Sequence, residues 1–163
     1  VLIGGVSKTY SMTGWRIGWA VGPEPLIEAM TTIQSHSTSN PASISQHAAL
    51  AALTGEQSSV GAMREAFRAR RERLVQGLGA LPGLRVTMPE GAFYAWCNVR
   101  GLGQPAEAIA AQWLEEALVA TVPGEGFGSA DHIRFSFATS LQTIEEGLER
   151  LATWVKDHAK HNI

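Results

Sequence analysis

Short apolar runs alternate with amphipathic helical stretches along almost the whole of this 163-residue chain. Runs such as VLIGGV (1–6) and HIRFSFAT (132–139) have the length and the β-branched and aromatic content of strands. Between them, apolar residues recur at helical spacing. This alternation predicts an α/β chain that ends in an α+β unit.

Composition limits the class of protein. Hydrophobic residues make up 45% of the chain and charged residues 17%, which predicts a globular core that buries roughly two-thirds of the unfolded surface. The formal net charge of −2 argues against a nucleic-acid partner. The single cysteine, Cys97, excludes an internal disulfide and indicates a buried thiol in a reducing cytoplasm. No apolar run is long enough to span a bilayer, so we expect no membrane partner.

The first third of the chain predicts two strands and two helices. VLIGGV and WRIGWAVG (15–22) are expected to pair antiparallel across the turn at Thr13-Gly14. A helix begins with Pro25 as its first residue and ends near Ser37. Asn40-Pro41 is expected to cap a second helix, which Gly55 ends.

The remainder predicts one sheet between helices. A long helix runs from Glu56 to about Gly79, and its RARRER segment (68–73) is interpreted as a solvated face because glutamates interrupt it. Strands near 84–88, 92–99 and 132–138 are expected to form one sheet that this helix and a terminal helix cover. That terminal helix extends from about Leu141 to Lys160. Two smaller features complete the pattern, a short strand VATV (119–122) and a glycine-rich loop PGEGFG (123–128).

Three cationic residues are the best candidates for chemistry. The histidines show no metal-binding spacing and no G-x-S-x-G motif exposes a serine, so neither a metal site nor a nucleophilic serine is expected. Lys8 follows an apolar strand, where partial burial would favour a neutral amine able to attack a carbonyl. Arg16, expected on the returning strand, could bind a phosphate, and Arg134 within an apolar strand could bind an anion. Spacing alone leaves structural ion pairs equally open.

The segment SKTYSMTGWRIGWAVGP (7–23) resembles the cofactor-lysine segment of class I and II aminotransferases, enzymes of fold type I that depend on pyridoxal 5′-phosphate (PLP). Three further segments resemble the same family in order and spacing. They are QSHSTSNPASISQHAA (34–49), PEGAFYAW (89–96) and HIRFSFA (132–138). The resemblance spans essentially the whole chain but only the C-terminal part of such an enzyme.

The resemblance implies both a fold and a set of roles. Residues 1–55 would be the C-terminal remnant of the three-layer α/β large domain that binds PLP, and residues 56–163 a connecting helix and the α+β small domain. Lys8 would bind PLP covalently and move the substrate's Cα proton, Arg16 would hold the phosphate, and Arg134 the α-carboxylate.

The implied reaction is amino transfer between an L-amino acid and a 2-oxo acid. The stretch containing Thr38 and Asn40 resembles the dimer-interface segment that runs toward the partner's active site, so these two residues are interface or active-site candidates in a homodimer. A PLP-dependent lyase or decarboxylase on the same scaffold remains an alternative. So does the effector domain of a transcriptional regulator.

Two positions depart from the family pattern. Gly5 stands where many relatives carry a hydroxyl residue that binds phosphate, and Ser35 stands where dicarboxylate-specific relatives can carry an arginine. In the family, the acidic partner of the pyridine nitrogen and most phosphate ligands precede the lysine. Because the chain opens at Val1 within a strand, it is expected to be a fragment that is inactive alone.

Overall fold

The computed structural model describes residues 1–159, and they divide into two compact units at Met63 and Arg64. The helices are α1 (Glu24–Ser37), α2 (Ser43–Thr54), α3 (Ser58–Gly79), α4 (Ala106–Glu115) and α5 (Leu141–Ala159). The strands are β1 (Leu2–Gly5), β2 (Gly18–Val21), β3 (Arg85–Val86), β4 (Tyr94–Asn98), β5 (Val122–Pro123) and β6 (His132–Ser136). The boundary between the two units falls inside α3, between Met63 and Arg64. The assignment of 1–55 and 56–163 to a large and a small domain stays a prediction.

The first unit contains a two-stranded antiparallel sheet and two helices. β1 pairs with β2 from Leu2 opposite Val21 to Gly5 opposite Gly18, as the sequence predicts. Its packing is loose, because among the described residues only two apolar side chains of this unit, Val6 and Ala49, are buried. Apolar side chains on every element of the unit are exposed, among them Ile3, Val21, Ile33, Ile44 and Leu53.

The second unit is built on a four-stranded sheet in the order β3-β4-β6-β5. Each neighbouring pair is antiparallel, and the central pair runs from Tyr94 opposite Ser136 to Asn98 opposite His132. The three strands expected in one sheet are confirmed. The fourth, expected at VATV (119–122), is instead Val122–Pro123, because the turn after α4 occupies the residues before it.

A single core fills the space between this sheet and its helices. Trp113 of α4, Phe137 after β6 and Leu78 of α3 are almost completely buried, and α5 adds Leu151. A Cβ at Gly77 would lie 2.4 Å from a Leu148 methyl carbon, so glycine permits the close contact of α3 with α5. Fully burying side chains of this size contributes about 1.5–3 kcal/mol each. The expected cover of the sheet by the long and terminal helices is confirmed over residues 141–159, and Lys160 lies outside the described residues.

Helix boundaries differ from expectation where loop geometry intervenes. α1 begins at Glu24, one residue before Pro25, and ends at Ser37 as predicted. The predicted cap at Asn40-Pro41 is wrong, because Asn40 donates to the Pro41 carbonyl and α2 begins only at Ser43. α3 begins at Ser58 because the Glu56 carboxylate accepts a hydrogen bond from the Ser58 amide.

The basic segment of α3 is only partly solvated. Arg68 is exposed and pairs with Glu65 on its own helix. Arg71 instead donates to the Pro89 carbonyl at 3.1 Å, and Arg73 contacts Glu145 of α5 at 3.4 Å. The solvated-face interpretation is wrong for these two arginines, since their side chains join α3 to other elements of the second unit.

Among residues 1–159 no helix combines the length and the apolar character needed to cross a membrane.

Candidate functional site

Lys8 lies in the turn that follows β1. The Tyr10 amide donates to the Val6 carbonyl at 3.2 Å, and the Ser11 amide donates to the Lys8 carbonyl at 3.3 Å. Ser11 closes the turn with a φ of 53°, a conformation that non-glycine residues rarely adopt. Such strained backbone is concentrated at functional sites. The turn thus holds the Lys8 backbone between a buried Val6 and a strained Ser11.

The expectation of a buried strand beside Lys8 is wrong for this chain. Lys8 is exposed, and it lies three residues beyond the end of β1. β1 has a single neighbouring strand within the described residues, so Leu2 and Ile3 are 66% and 68% exposed. The partial burial that the sequence predicts for Lys8 is therefore not observed among the described residues.

Arg16 lies before β2 and not on it, which corrects the sequence prediction. A 3₁₀ helix over Thr13–Trp15 shortens the connection, and Arg16 ends it in the left-handed conformation with a φ of 49°. One guanidinium nitrogen donates to the Thr13 carbonyl at 3.1 Å. Because a guanidinium carries five N–H donors, the others are left for an anion.

The glycines of β1 and β2 are fixed by contacts between the strands. A Cβ at Gly18 would lie 2.7 Å from the Gly4 carbonyl oxygen, which no side chain tolerates. A Cβ at Gly5 would lie 3.3 Å from the Ile17 carbonyl oxygen, so a hydroxyl residue there requires a small backbone shift. The closeness of the Ile17 carbonyl oxygen therefore gives a steric reason for glycine at position 5, where the family pattern has a hydroxyl residue.

Thr38 and Asn40 lie in the exposed connection between α1 and α2. The Thr38 amide caps α1 by donating to the Gln34 carbonyl at 3.0 Å, and its hydroxyl contacts the Gln34 side chain. Ser39 between them has a φ of 65°. The first unit thus contains Lys8, Arg16 and both interface candidates, whereas Arg134 belongs to the second unit.

Arg134 is held on the sheet of the second unit by two aromatic rings. It lies in β6 opposite Trp96 of β4 and Val122 of β5. Its guanidinium carbon is 4.3 Å from the centre of the Tyr94 ring and 4.6 Å from that of Phe127. No carboxylate of residues 1–159 pairs with it, and its guanidinium makes no hydrogen bond to them. The rings orient the cation while its donors remain available for a carboxylate.

The loop PGEGFG (123–128) supplies one of these rings. A short 3₁₀ helix over Glu125–Phe127 turns Phe127 against Trp96 at 5.8 Å and against Arg134. A Cβ at Gly124 would lie 2.4 Å from the Ser129 carbonyl oxygen, so only glycine fits at the start of this turn. Sequence reasoning identified Arg134 but missed Tyr94 and Phe127. Cross-strand pairing of β4 with β6 is the signal that could have indicated Tyr94.

Two titratable groups outside these residues have shifted pKa values. Burial raises the pKa of the Cys97 thiol to about 12, which makes it an unreactive core residue. Hydrogen bonds from the Ser58 hydroxyl and amide lower the pKa of Glu56. In the part of the chain that the structure describes, no group of three or more acidic, histidine or cysteine side chains could hold a metal.

The sequence matches the family described as aminotransferase class I and II over residues 1–151. An aspartate aminotransferase of Geobacillus stearothermophilus is 48% identical over 98% of this chain. One of Bacillus subtilis is 46% identical, also over 98% of the chain. The chain spans 42% of the length of each of these curated relatives. The matched residues include Lys8, Arg16 and Arg134.

Solved structures are similar over both units. An aspartate aminotransferase from Rhizobium meliloti has a TM-score of 0.90 at 43% identity, over 94% of this chain and 41% of that one. An aromatic aminotransferase from Pyrococcus horikoshii has a TM-score of 0.93 at 35% identity, over 96% and 43%. The aspartate aminotransferase from Thermus thermophilus with maleate has a TM-score of 0.88 at 42% identity, over 93% and 40%.

Proposed function

This chain belongs to the class I and II aminotransferases of fold type I, and from that premise we propose that the whole protein transfers an amino group between an L-amino acid and a 2-oxo acid with PLP as cofactor. The observation that carries the proposal is the 48% identity, over 98% of the chain, to a relative named aspartate aminotransferase. Lys8, Arg16 and Arg134 all lie within this similarity and supply the cationic groups that the reaction needs.

The groups in the β1–β2 connection fit the cofactor chemically. Lys8 presents a primary amine, which combines with an aldehyde, on a turn whose backbone is held by two hydrogen bonds. Arg16 uses one nitrogen for the Thr13 carbonyl and keeps other donors for a phosphate. Lys8 would therefore hold PLP covalently, and Arg16 would hold its phosphate.

Lys8 and Arg134 would have separate roles in the reaction, proton transfer and carboxylate binding. When bound, PLP supplies an electron-withdrawing ring that stabilises negative charge developing at the substrate Cα. Once the substrate amino group has replaced Lys8 on the cofactor, the released Lys8 amine would take the proton from the substrate Cα as a general base. It would then give that proton to the cofactor side of the carbon–nitrogen bond as a general acid. Arg134 binds the substrate α-carboxylate through two parallel N–H donors, and the Tyr94 and Phe127 rings keep its plane fixed.

We propose aspartate as the amino donor. The relatives from Geobacillus stearothermophilus and Bacillus subtilis are named aspartate aminotransferases, and the Thermus thermophilus structure contains maleate, a dicarboxylate, which together support aspartate. Ser35 is a neutral residue where an arginine would favour a second carboxylate. Groups other than the Ser35 side chain would therefore bind the second carboxylate of aspartate.

We also propose that the protein is a cytoplasmic homodimer. Apolar side chains are exposed on α1 and α2, including Leu26, Ile33 and Ile44. They support an interface between two copies of the protein at the first unit. Thr38 and Asn40 lie in the connection between these two helices and would contribute to it. The unpaired thiol of Cys97 supports a reducing compartment.

Transfer of ¹⁵N-labelled nitrogen between amino acids tests the proposed reaction. Full-length protein is incubated with PLP, ¹⁵N-labelled aspartate and 2-oxoglutarate, and label in the product amino acid is measured by mass spectrometry. We expect stoichiometric transfer of label, its loss in Lys8→Ala, and its retention in the control Lys156→Ala, an exposed lysine on α5. Release of carbon dioxide or ammonia without label transfer would instead indicate a decarboxylase or lyase.

A further inference from the structure

A surface cavity of about 360 Å³ lies at the end of strand β4, away from Tyr94 at the start of that strand. It is lined by Gly83, Leu84, Arg85, Asn98, Arg100 and Gly101. Two of these six residues are cationic and none is acidic. The lining is positive although the chain as a whole carries a net charge of −2. A local excess of positive charge in a concave site favours an anion.

The two arginines of this cavity lack the contacts that the other arginines have. Within residues 1–159 neither the Arg85 nor the Arg100 guanidinium forms an ion pair, a hydrogen bond or a contact with an aromatic ring. Each of the other eight contacts a carboxylate, a carbonyl or a ring. Asp131, whose carbonyl accepts from the Val99 amide, pairs with neither of them. Arg85 and Arg100 thus keep all their guanidinium donors for a ligand.

The backbone on both sides of the cavity is fixed. Arg85 pairs with Asn98 in the ladder of β3 and β4. The Asn98 side-chain oxygen accepts a hydrogen bond from the Arg100 amide at 3.2 Å. Gly83 and Gly101 touch, since a Cβ at Gly101 would lie 2.6 Å from the Gly83 Cα and carbonyl oxygen. The backbone at Arg85 and Arg100 is therefore fixed, so binding a ligand there requires ordering of the side chains but not of the backbone.

We propose that this cavity is a binding site for a phosphate group, either inorganic phosphate or a small phosphate monoester. Two guanidinium groups match the charge and the oxygen geometry of a phosphate dianion by paired N–H donors. The cavity volume of about 360 Å³ exceeds what a bare phosphate needs and leaves room for a small organic substituent. This inference does not depend on the proposed function, because Arg85 and Arg100 have no role in it.

Protection of arginines from chemical modification shows where the ligand binds. Full-length protein is modified with phenylglyoxal in inorganic phosphate, in glycerol phosphate, in succinate, or in sodium chloride of matched ionic strength, and modified arginines are identified by peptide mass spectrometry. We expect either phosphate probe to slow modification of Arg85 and Arg100 together. Arg150, which donates to the Leu118 carbonyl, is the internal control and should react at the same rate in all four solutions.

Substitution of either arginine tests the same site through its affinity for phosphate. The ³¹P NMR titration with inorganic phosphate uses full-length protein loaded with PLP, so that the site proposed at Arg16 is already filled. Arg85→Gln and Arg100→Gln are each expected to weaken phosphate binding about tenfold, the effect of losing one charge-assisted contact. Arg150→Gln should bind as the unmodified protein does. Equal modification rates of Arg85 and Arg100 with and without phosphate, unchanged affinity in both variants, or equal protection by succinate would each overturn the proposal.

Discussion

The guanidinium carbon of Arg134 lies 4.3 Å from the centre of the Tyr94 ring on the neighbouring strand. A lysine ammonium at this position could still sit over the ring but could not present two parallel donors to a carboxylate. In the full-length protein, Arg134→Lys should therefore raise the KM for the amino acid by about tenfold or more, with cofactor binding and Tm nearly unchanged. Steady-state kinetics and a thermal melt together check this.

Arg150→Lys is the matched control for that experiment, because Arg150 is exposed on α5 and its guanidinium hydrogen-bonds to a backbone carbonyl. Its kinetics should be unchanged. A large fall in Tm with unaltered KM in Arg134→Lys would show that Arg134 is a structural cation.

Cys97 should resist alkylation in the folded chain. Because burial raises the pKa of its thiol to about 12, the folded chain holds far less thiolate at pH 8 than the unfolded chain does. Iodoacetamide labelling followed by mass spectrometry should be slow in buffer and fast in denaturant. Between about pH 9 and 12 the unfolded chain loses this proton and the folded chain keeps it, so Cys97 lowers stability as the pH rises. Rapid labelling of the folded chain would contradict its burial.

The four-stranded sheet was largely predictable from local pattern. Alternating apolar positions in AFYAWCNV and HIRFSFAT indicate half-buried strands, and Ala95, Cys97, Ile133 and Phe135 do form the buried face. The register that places Trp96 opposite Arg134 was not predictable, since it depends on packing of the whole unit.

The site was predictable only in its charged residues. Arg16 was misplaced on a strand because its left-handed φ of 49° is a conformation that sequence rules assign to glycine or asparagine. Phe127 was missed because it reaches Arg134 through a 3₁₀ turn that depends on Gly124. Lys8 was a candidate because it follows an apolar strand, and its role came from the family resemblance. The burial expected from that strand is not observed, since Lys8 is exposed.

Glu56 should stabilise the first turn of α3. Its carboxylate accepts from the Ser58 amide, which lowers its pKa. Glu56→Ala should speed hydrogen exchange of the amides from Ser58 to Gly61 by about two- to tenfold, as expected for a lost cap. Because the folded pKa is lowered, the effect is present at neutral pH and disappears as the pH falls through that pKa. Glu90→Ala, at an exposed position in the loop before β4, is the control, and an equal change in both variants would argue against the cap.

The two units should differ in protection. In the 163-residue chain, amides of β4 and β6 lie over a core containing Trp113 and Leu78, whereas β1 and β2 carry exposed Leu2 and Val21. Native-state hydrogen exchange should therefore be orders of magnitude slower in β4 and β6 than in β1 and β2. Equal protection of the first fifty and last sixty residues would contradict the packing described above.

Borohydride trapping tests most directly whether Lys8 binds PLP. Reduction converts a reversible carbon–nitrogen linkage between lysine and cofactor into a stable amine, so the labelled peptide can be sequenced. In the full-length protein loaded with PLP, we predict label on the peptide containing GGVSKTYSM (4–12) and on no other. Lys8→Ala should lose the label yet still bind PLP non-covalently through Arg16. Label on Lys156 or Lys160, or none at Lys8, would contradict the account.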